Sequence, residues 1–148
     1  MTLKEIGIIH SPYKIKEDAP RQGRLKDNTF KIEVYPEYAP GLKCLDSISH
    51  LMVLYWADKS DRTTLQVDRE EELRGVFATR SPSRPNPINH CVAKILKIED
   101  NILTVDGLDA LDQSPLIDLK PYAPAIDIVE DAWGWAVEET QRLAQDKE

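Results

Sequence analysis

Residues 50–57 read HLMVLYWA, a run that is apolar almost from end to end. Such a run fits a strand buried on both faces, or one lining a closed barrel. Working outward from it, other β patterns recur at short and fairly even intervals. Ile6, Ile8 and Ile9 give 3–10 the character of a first strand, which stops at Ser11-Pro12. Phe30, Ile32 and Val34 alternate with polar neighbours and predict a half-buried strand ended by Pro36, followed at 38–42 by a turn or short helical piece leading to Ile48. Downstream, 91–98 and 102–108 are β-patterned runs joined across Glu99-Asp100-Asn101, a hairpin signal. Leu116, Ile117 and Leu119 supply a further short strand, which would point Asp118, Lys120 and Tyr122 to one face.

Two segments break this rhythm. Residues 58–73 are polar with alternating charge and no apolar period, the pattern of a loop or an exposed helix edge. From Asp131, a plausible N-cap, Trp133, Ala136, Val137, Thr140, Leu143 and Ala144 recur at three- and four-residue steps and predict a C-terminal helix on the barrel. Trp135 falls on its opposite side, to be covered by the chain or by a second subunit. The pattern is that of a mainly β protein: a small closed β-barrel with short peripheral helices including a C-terminal helix, with 1–148 as a single domain. There is no Gly-x-Gly-x-x-Gly after a strand, which argues against a doubly wound nucleotide fold.

Composition sets further bounds. With 41% apolar and 30% charged residues, no apolar run of membrane-spanning length and no signal-peptide core, the expectation is a cytoplasmic chain with no membrane partner. Cys44 and Cys91 fit free thiols, and with His50 and His90 they lack the short spacings of a metal site, so no metal is expected. A formal charge of −7 excludes a protein that coats nucleic acid through a wide basic face. The charge is uneven, however. Residues 14–31 hold six bases against three acids, and no acid lies between Leu73 and Ile98, where Arg74, Arg80, Arg84, Lys94 and Lys97 all fall. That local reversal points to a site for something anionic.

Its centre is 75–89, GVFATRSPSRPNPIN: a short apolar run, expected as a strand at 76–78, entering a loop where three prolines alternate with polar groups. Proline fixes its own φ and restricts its neighbour, so Ser81, Arg84 and Asn86 lose freedom before any ligand arrives. Arg80 and Arg84 each carry a planar fork suited to a carboxylate or phosphate. On this reading Arg80 is held at the barrel mouth, and Arg84 is free to swing over a substrate. A surface turn would account for the Pro and Ser content as well.

The wording of four stretches, IGIIHSPYK with APRQGRL, LDSISHLMVLYWA, GVFATRSPSRPNPI and GLDALDQSPLIDLKPYAP, occurs in order along most of the chain. Together they resemble the signature of the TsaA-like family, β-barrel methyltransferases that use S-adenosylmethionine and methylate N6 of threonylcarbamoyladenosine at position 37 of tRNA. The resemblance implies S-adenosylmethionine as cofactor, tRNA as partner and a homodimer with the cofactor near the subunit contact, for which Trp135 offers aromatic surface. It implies cofactor binding by Pro20, Arg21 and Gln22, by His50 and Leu51, by Arg80, and by Asp112, Gln113, Ser114 and Pro115. Taken on its own, Arg21 reads as a solvated loop charge and His50 as a hydrogen-bonded structural residue.

The acceptor nitrogen of such a substrate belongs to an acylated urea and must shed or share its proton during attack. Asp118 and Tyr122 are the candidates for handling it, with Arg84 as a third catalytic candidate. Arg84, Asn86 and Lys120 are expected on the substrate. A simple surface ion pair explains Asp118 and Lys120 equally well. Two positions depart from the family pattern: Asn89 stands where Gly commonly follows Pro-Ile, and Gln113 replaces Gly in Asp-Gly-Thr-Pro. Both bear on the identity of the substrate. Rival readings are a non-catalytic module that binds S-adenosylmethionine or RNA, and a methyltransferase acting on a small adenylate-like metabolite.

Overall fold

The computed structural model describes residues 1–20 and 28–146. Six antiparallel strands close into a barrel in the order β1-β2-β7-β6-β3-β8. They are β1 (Gly7–His10), β2 (Thr29–Val34), β3 (His50–Trp56), β6 (Ile88–Glu99), β7 (Ile102–Asp106) and β8 (Ser114–Pro121). Two further strands, β4 (Gln66–Arg69) and β5 (Glu72–Gly75), form a separate hairpin. Among the helices are α1 (Pro124–Asp127) and α2 (Trp135–Asp146). No helix among the described residues is long and apolar enough to cross a membrane.

The barrel follows from the two-residue period of its strands. In β2, Phe30, Ile32 and Val34 point inward and are buried, while Thr29 and Lys31 face out. β3 alternates in the same way: Leu51, Val53 and Tyr55 fill the interior, and His50, Met52, Leu54 and Trp56 stand on the outer face. Of the two readings of this strand, buried on both faces or lining a closed barrel, the second holds, and its outer row is only half covered. Ile9, Leu103, Val105, Leu108 and Leu116 complete the core. Burying each such side chain contributes roughly 1.5–3 kcal/mol, which is the main return against chain entropy.

Two irregularities aim side chains. In β6 the pairing with β7 shifts between Ile95 and Lys97 and leaves Leu96 exposed. In β8 the register against β3 skips Ile117: Leu116 pairs with Tyr55, but Asp118 pairs with Leu54 and Lys120 with Met52. The skipped residue reverses the inside-outside phase. Leu116 therefore faces the core, whereas Asp118 and Lys120 share the outer face with Leu54 and Met52.

Three local expectations are corrected. The polar stretch 58–73 contains most of the β4–β5 hairpin, which turns through Glu70 and Glu71, both at positive φ. Its strands have no buried side chain, so no apolar alternation announces them. Val76–Ala78 is a single 3-10 turn and not a strand. The C-terminal helix begins at Trp135 because Gly134, at φ +115°, interrupts helical backbone. Trp133, expected on its inner face, is instead 91% exposed.

Two substitutions probe this framework. A Cβ on Gly7 would lie 2.2 Å from the Glu33 carbonyl oxygen, which is backbone and cannot yield without parting β1 from β2. Gly7→Ala is expected to cost about 1–3 kcal/mol, read as a lower denaturation midpoint. Conversely, Gln113 sits at φ +68° with only exposed side-chain contacts, to His10 Nδ1 and Asp112. Gln113→Gly is expected to raise stability by about 0.5 kcal/mol, the relief of left-handed strain less the added unfolded-state entropy.

Candidate active site

A cleft of about 450 Å³ opens where β3 ends and β6 and β8 begin. The 79–84 loop forms one wall of it, with Arg80, Ser81, Pro82 and Arg84. A second wall is α2, which contributes Trp135, Ala136, Glu139, Thr140 and Leu143. Pro20, Ile88 and Leu111 add apolar surface, and Tyr55, Asn89, His90, Asp109 and Ser114 supply polar groups. The volume and the mixture of apolar walls with a few polar groups suit a nucleoside-sized ligand.

The arginine loop is held from beneath. Thr79 is buried, and its hydroxyl donates to the Val76 carbonyl at 3.0 Å while accepting from the Ser81 N–H. The Arg84 guanidinium donates to the Val76 and Thr79 carbonyls, and Arg62 Nε donates to the Pro85 carbonyl at 3.0 Å. Pro87 is fully buried, and its carbonyl accepts from the Ala57 N–H at the end of β3. Arg84 is therefore a clamp that fixes the loop, and the expectation that it swings over a substrate is corrected. Arg80 keeps its fork exposed on the cleft, 3.4 Å from His90 Nε2. Burial and the Arg80 charge lower the His90 pKa against an opposing pull from Asp109, which favours the neutral imidazole.

The floor combines inward-facing strand residues with Asp109 of the connection between β7 and β8. Tyr55 Oη donates to Asp109 Oδ1 at 2.5 Å and accepts from Asn89 Nδ2 at 3.1 Å. Cys91 Sγ donates to the same carboxylate oxygen at 2.9 Å. Burial, then the negative charge of Asp109, pushes the Tyr55 pKa far up, so the phenol keeps its proton. Sequence reasoning missed Tyr55, His90, Cys91 and Asp109. The signal was available, since Tyr55 continues the inward period of Leu51 and Val53, and Asn89 and Cys91 that of Ala93.

The other sequence candidates scatter. Pro20, Arg80, Arg84 and Ser114 line the cleft, and Ser114 is buried with its hydroxyl on the Leu111 carbonyl. Arg21 and Gln22 lie outside the described residues. Asp112 and Gln113 border a neighbouring depression with His10, Lys14 and Lys31. The Lys14 ammonium and the Ser11 N–H hold the Asp112 carboxyl down to about 2. Pro115 pairs with Ile8 in the β1–β8 ladder, and the Asn86 carbonyl accepts from the Ile88 N–H. At the far end of β3, Leu51 fills the core, His50 meets the Ser49 hydroxyl at 2.8 Å, and the Tyr122 N–H donates to the His50 carbonyl. Asp118 and Lys120 form an exposed ion pair at 3.3 Å. Within one chain, His50, Leu51, Asp118, Lys120 and Tyr122 are not among the residues lining the cleft.

Trp135 is covered by its own chain. Arg74 stacks over its ring at 4.4 Å, and its indole donates to Glu70, which also pairs with Arg142. The hairpin and α2 are thereby joined at the rim of the cleft.

Comparison with known proteins supplies the family. The tRNA-methyltransferase O N-terminal domain matches residues 8–128. An S-adenosyl-L-methionine-binding protein of Archaeoglobus fulgidus is 53% identical over 136 residues, covering 90% of this chain and 98% of that protein. A putative S-adenosylmethionine-dependent methyltransferase, RcsF of Pseudomonas aeruginosa, is 36% identical, covering 88% of this chain and 58% of that protein. A solved TrmO structure superposes with a TM-score of 0.77 at 33% identity, over 90% of this chain and 62% of its own. TrmO from Pseudomonas aeruginosa gives 0.75 at 32% identity, over 90% and 60%. The chain thus spans less than two thirds of those solved proteins, and in both sequence and barrel topology it belongs to the tRNA-methyltransferase O N-terminal domain family.

Proposed function

We propose that the chain is an S-adenosylmethionine-dependent methyltransferase acting on N6 of threonylcarbamoyladenosine at position 37 of tRNA. The observation that carries the reading is the cleft itself: a rigidly held loop presenting Arg80 opposite apolar walls and a polar floor, on a barrel of this family. The residues fit the donor. Arg80 suits its carboxylate, Pro20, Ile88, Leu111 and Leu143 provide apolar surface for its adenosine, and Ser81 and Ser114 bring hydroxyls to the walls. When bound, the donor supplies an activated methyl group on a sulfonium. Arg21 and Gln22, which follow Pro20 in the sequence, and Asp112, Gln113 and Pro115, which flank Ser114 outside the cleft lining, are proposed donor contacts as well, with Arg84 acting through the loop it clamps. Substrate contacts from Asn86 and Lys120 belong to the same proposal.

A homodimer belongs to this reading. The outer row of β3, with Met52, Leu54 and Trp56, lies beside Val92 and Ile88 of β6 and is interspersed with His90, Asp118 and Lys120, a face of mixed apolar and charged groups suited to a subunit contact. A second copy seated there would bring His50, Asp118, Lys120 and Tyr122 into the subunit contact, which accounts for their distance from the cleft of their own chain.

Two measurements test the proposal. Calorimetric titration with S-adenosylmethionine is expected to give saturable heat and a raised melting temperature, and Arg80→Ala to weaken binding about tenfold, or ~1.4 kcal/mol. Incubation with labelled donor and total tRNA, followed by nucleoside analysis, should place the label on threonylcarbamoyladenosine. Binding without transfer would favour a donor-binding module, as several relatives are named S-adenosyl-L-methionine-binding proteins. Sedimentation at tens of micromolar is expected to show a dimer that Leu54→Glu converts to a monomer; a monomeric parent removes the dimer claim.

A further inference from the structure

Among the described residues three carboxylates line the cleft: Asp58, Asp109 and Glu139. Asp58 is solvent exposed, and Glu139 rides on α2, a helix with no buried residue. Only Asp109 is oriented by groups of the barrel interior. Its Oδ1 accepts from both the Tyr55 hydroxyl and the Cys91 thiol, each on an inward-facing strand position. Two donors on Oδ1 fix the carboxylate plane, and Oδ2 has no hydrogen bond to a described residue. A fixed carboxylate that lines a cleft, with one oxygen committed and the other without a hydrogen bond to a described residue, has the geometry of a proton acceptor.

We infer that Asp109 is the catalytic base of methyl transfer, its Oδ2 receiving the proton of the acceptor N–H, with Tyr55 and Cys91 as its positioning residues. This rests on the methyl-transfer reading above, and it replaces Asp118 and Tyr122 in that role. As the acceptor nitrogen attacks, its N–H bond breaks and the proton passes to Oδ2. The nitrogen electron pair forms the new N–CH₃ bond, while the C–S⁺ bond breaks and its pair stays on sulfur as a neutral thioether. Charge balances: a carboxylate and a sulfonium become a carboxylic acid and a thioether.

The neighbours agree with the assignment. Arg80, proposed to grip an anionic group, faces His90 at 3.4 Å, and His90 feels the charges of both Arg80 and Asp109. His90 is a poorer base because burial and the Arg80 charge lower its pKa and its Nε2 edge faces the Arg80 guanidinium. Tyr55 keeps its proton and can only donate to the carboxylate. Asn89, which stands where the family pattern has Gly, donates to the Tyr55 oxygen and so directs the phenol hydrogen toward Asp109.

Asp109→Asn keeps the shape and removes the basicity. On tRNA carrying threonylcarbamoyladenosine, its single-turnover rate should fall by about 100-fold or more. Its affinity for S-adenosylmethionine by calorimetry, and for the free modified nucleoside, should stay within about threefold of the parent, a change under roughly 0.7 kcal/mol. Tyr55→Phe, which leaves the Cys91 contact in place, should slow transfer by about three- to tenfold with donor affinity unchanged. It decides the matter if Asp109→Asn does not fold. A rate for Asp109→Asn within tenfold of the parent, or a loss of donor affinity that parallels the loss of rate, would overturn the inference alone. A parent chain that binds the donor yet never methylates the modified tRNA would instead remove the methyl-transfer reading and this inference with it.

Discussion

Closure of the barrel is the constraint on which the remaining features depend. Six strands that pair without an edge force every second residue inward, and the interior is then a set of rows running from one end of the barrel to the other. Along β3 that row is Leu51, Val53, Tyr55, and along β6 it is Asn89, Cys91, Ala93. Both rows are apolar at mid-barrel and polar at the cleft end. The core and the floor of the site are therefore one construction, and the side chains of the floor inherit the rigidity of the core. Polar groups placed there must be satisfied, which is why hydroxyl, thiol and amide converge around one carboxylate.

Around that floor the chain uses two kinds of wall. The arginine loop is anchored by backbone carbonyls that Arg84 gathers, by the buried Thr79 and by the buried Pro87, and it presents Arg80 from a fixed base. Two arginines four residues apart thus do opposite work. One spends its donors on the protein, and the other keeps them for the cleft. The opposite wall, α2, has no buried residue and is joined to the β4–β5 hairpin through the Trp135, Glu70, Arg74 and Arg142 contacts at the rim. Packing sets the first wall, and polar contacts at the surface set the second.

Much of this was legible in the sequence. Length, the repeated short β patterns and the four family-like stretches gave a closed barrel with a C-terminal helix, and the absence of acids between Leu73 and Ile98 singled out the arginine loop. These features depend on local patterns: a period of two, a proline's fixed φ, a run of like charge. The β4–β5 hairpin stayed hidden because its strands bury nothing and so carry no apolar alternation. The start of α2 was misplaced because the period of Trp133 continues past Gly134, whose backbone is not helical.

What tertiary structure alone decided is which polar residues meet. Tyr55, Asn89, Cys91 and Asp109 come from two strands and a connection, and only barrel closure and the β3–β6 register bring them to one point. The same closure separates Asp118 and Lys120 from that point, because a single skipped residue at Ile117 turns them outward. A sequence fixes the face of a residue only as long as the period is unbroken. One bulge reverses the phase, and it is the pairing of a whole sheet, an interaction between residues far apart in the chain, that determines where the bulge falls.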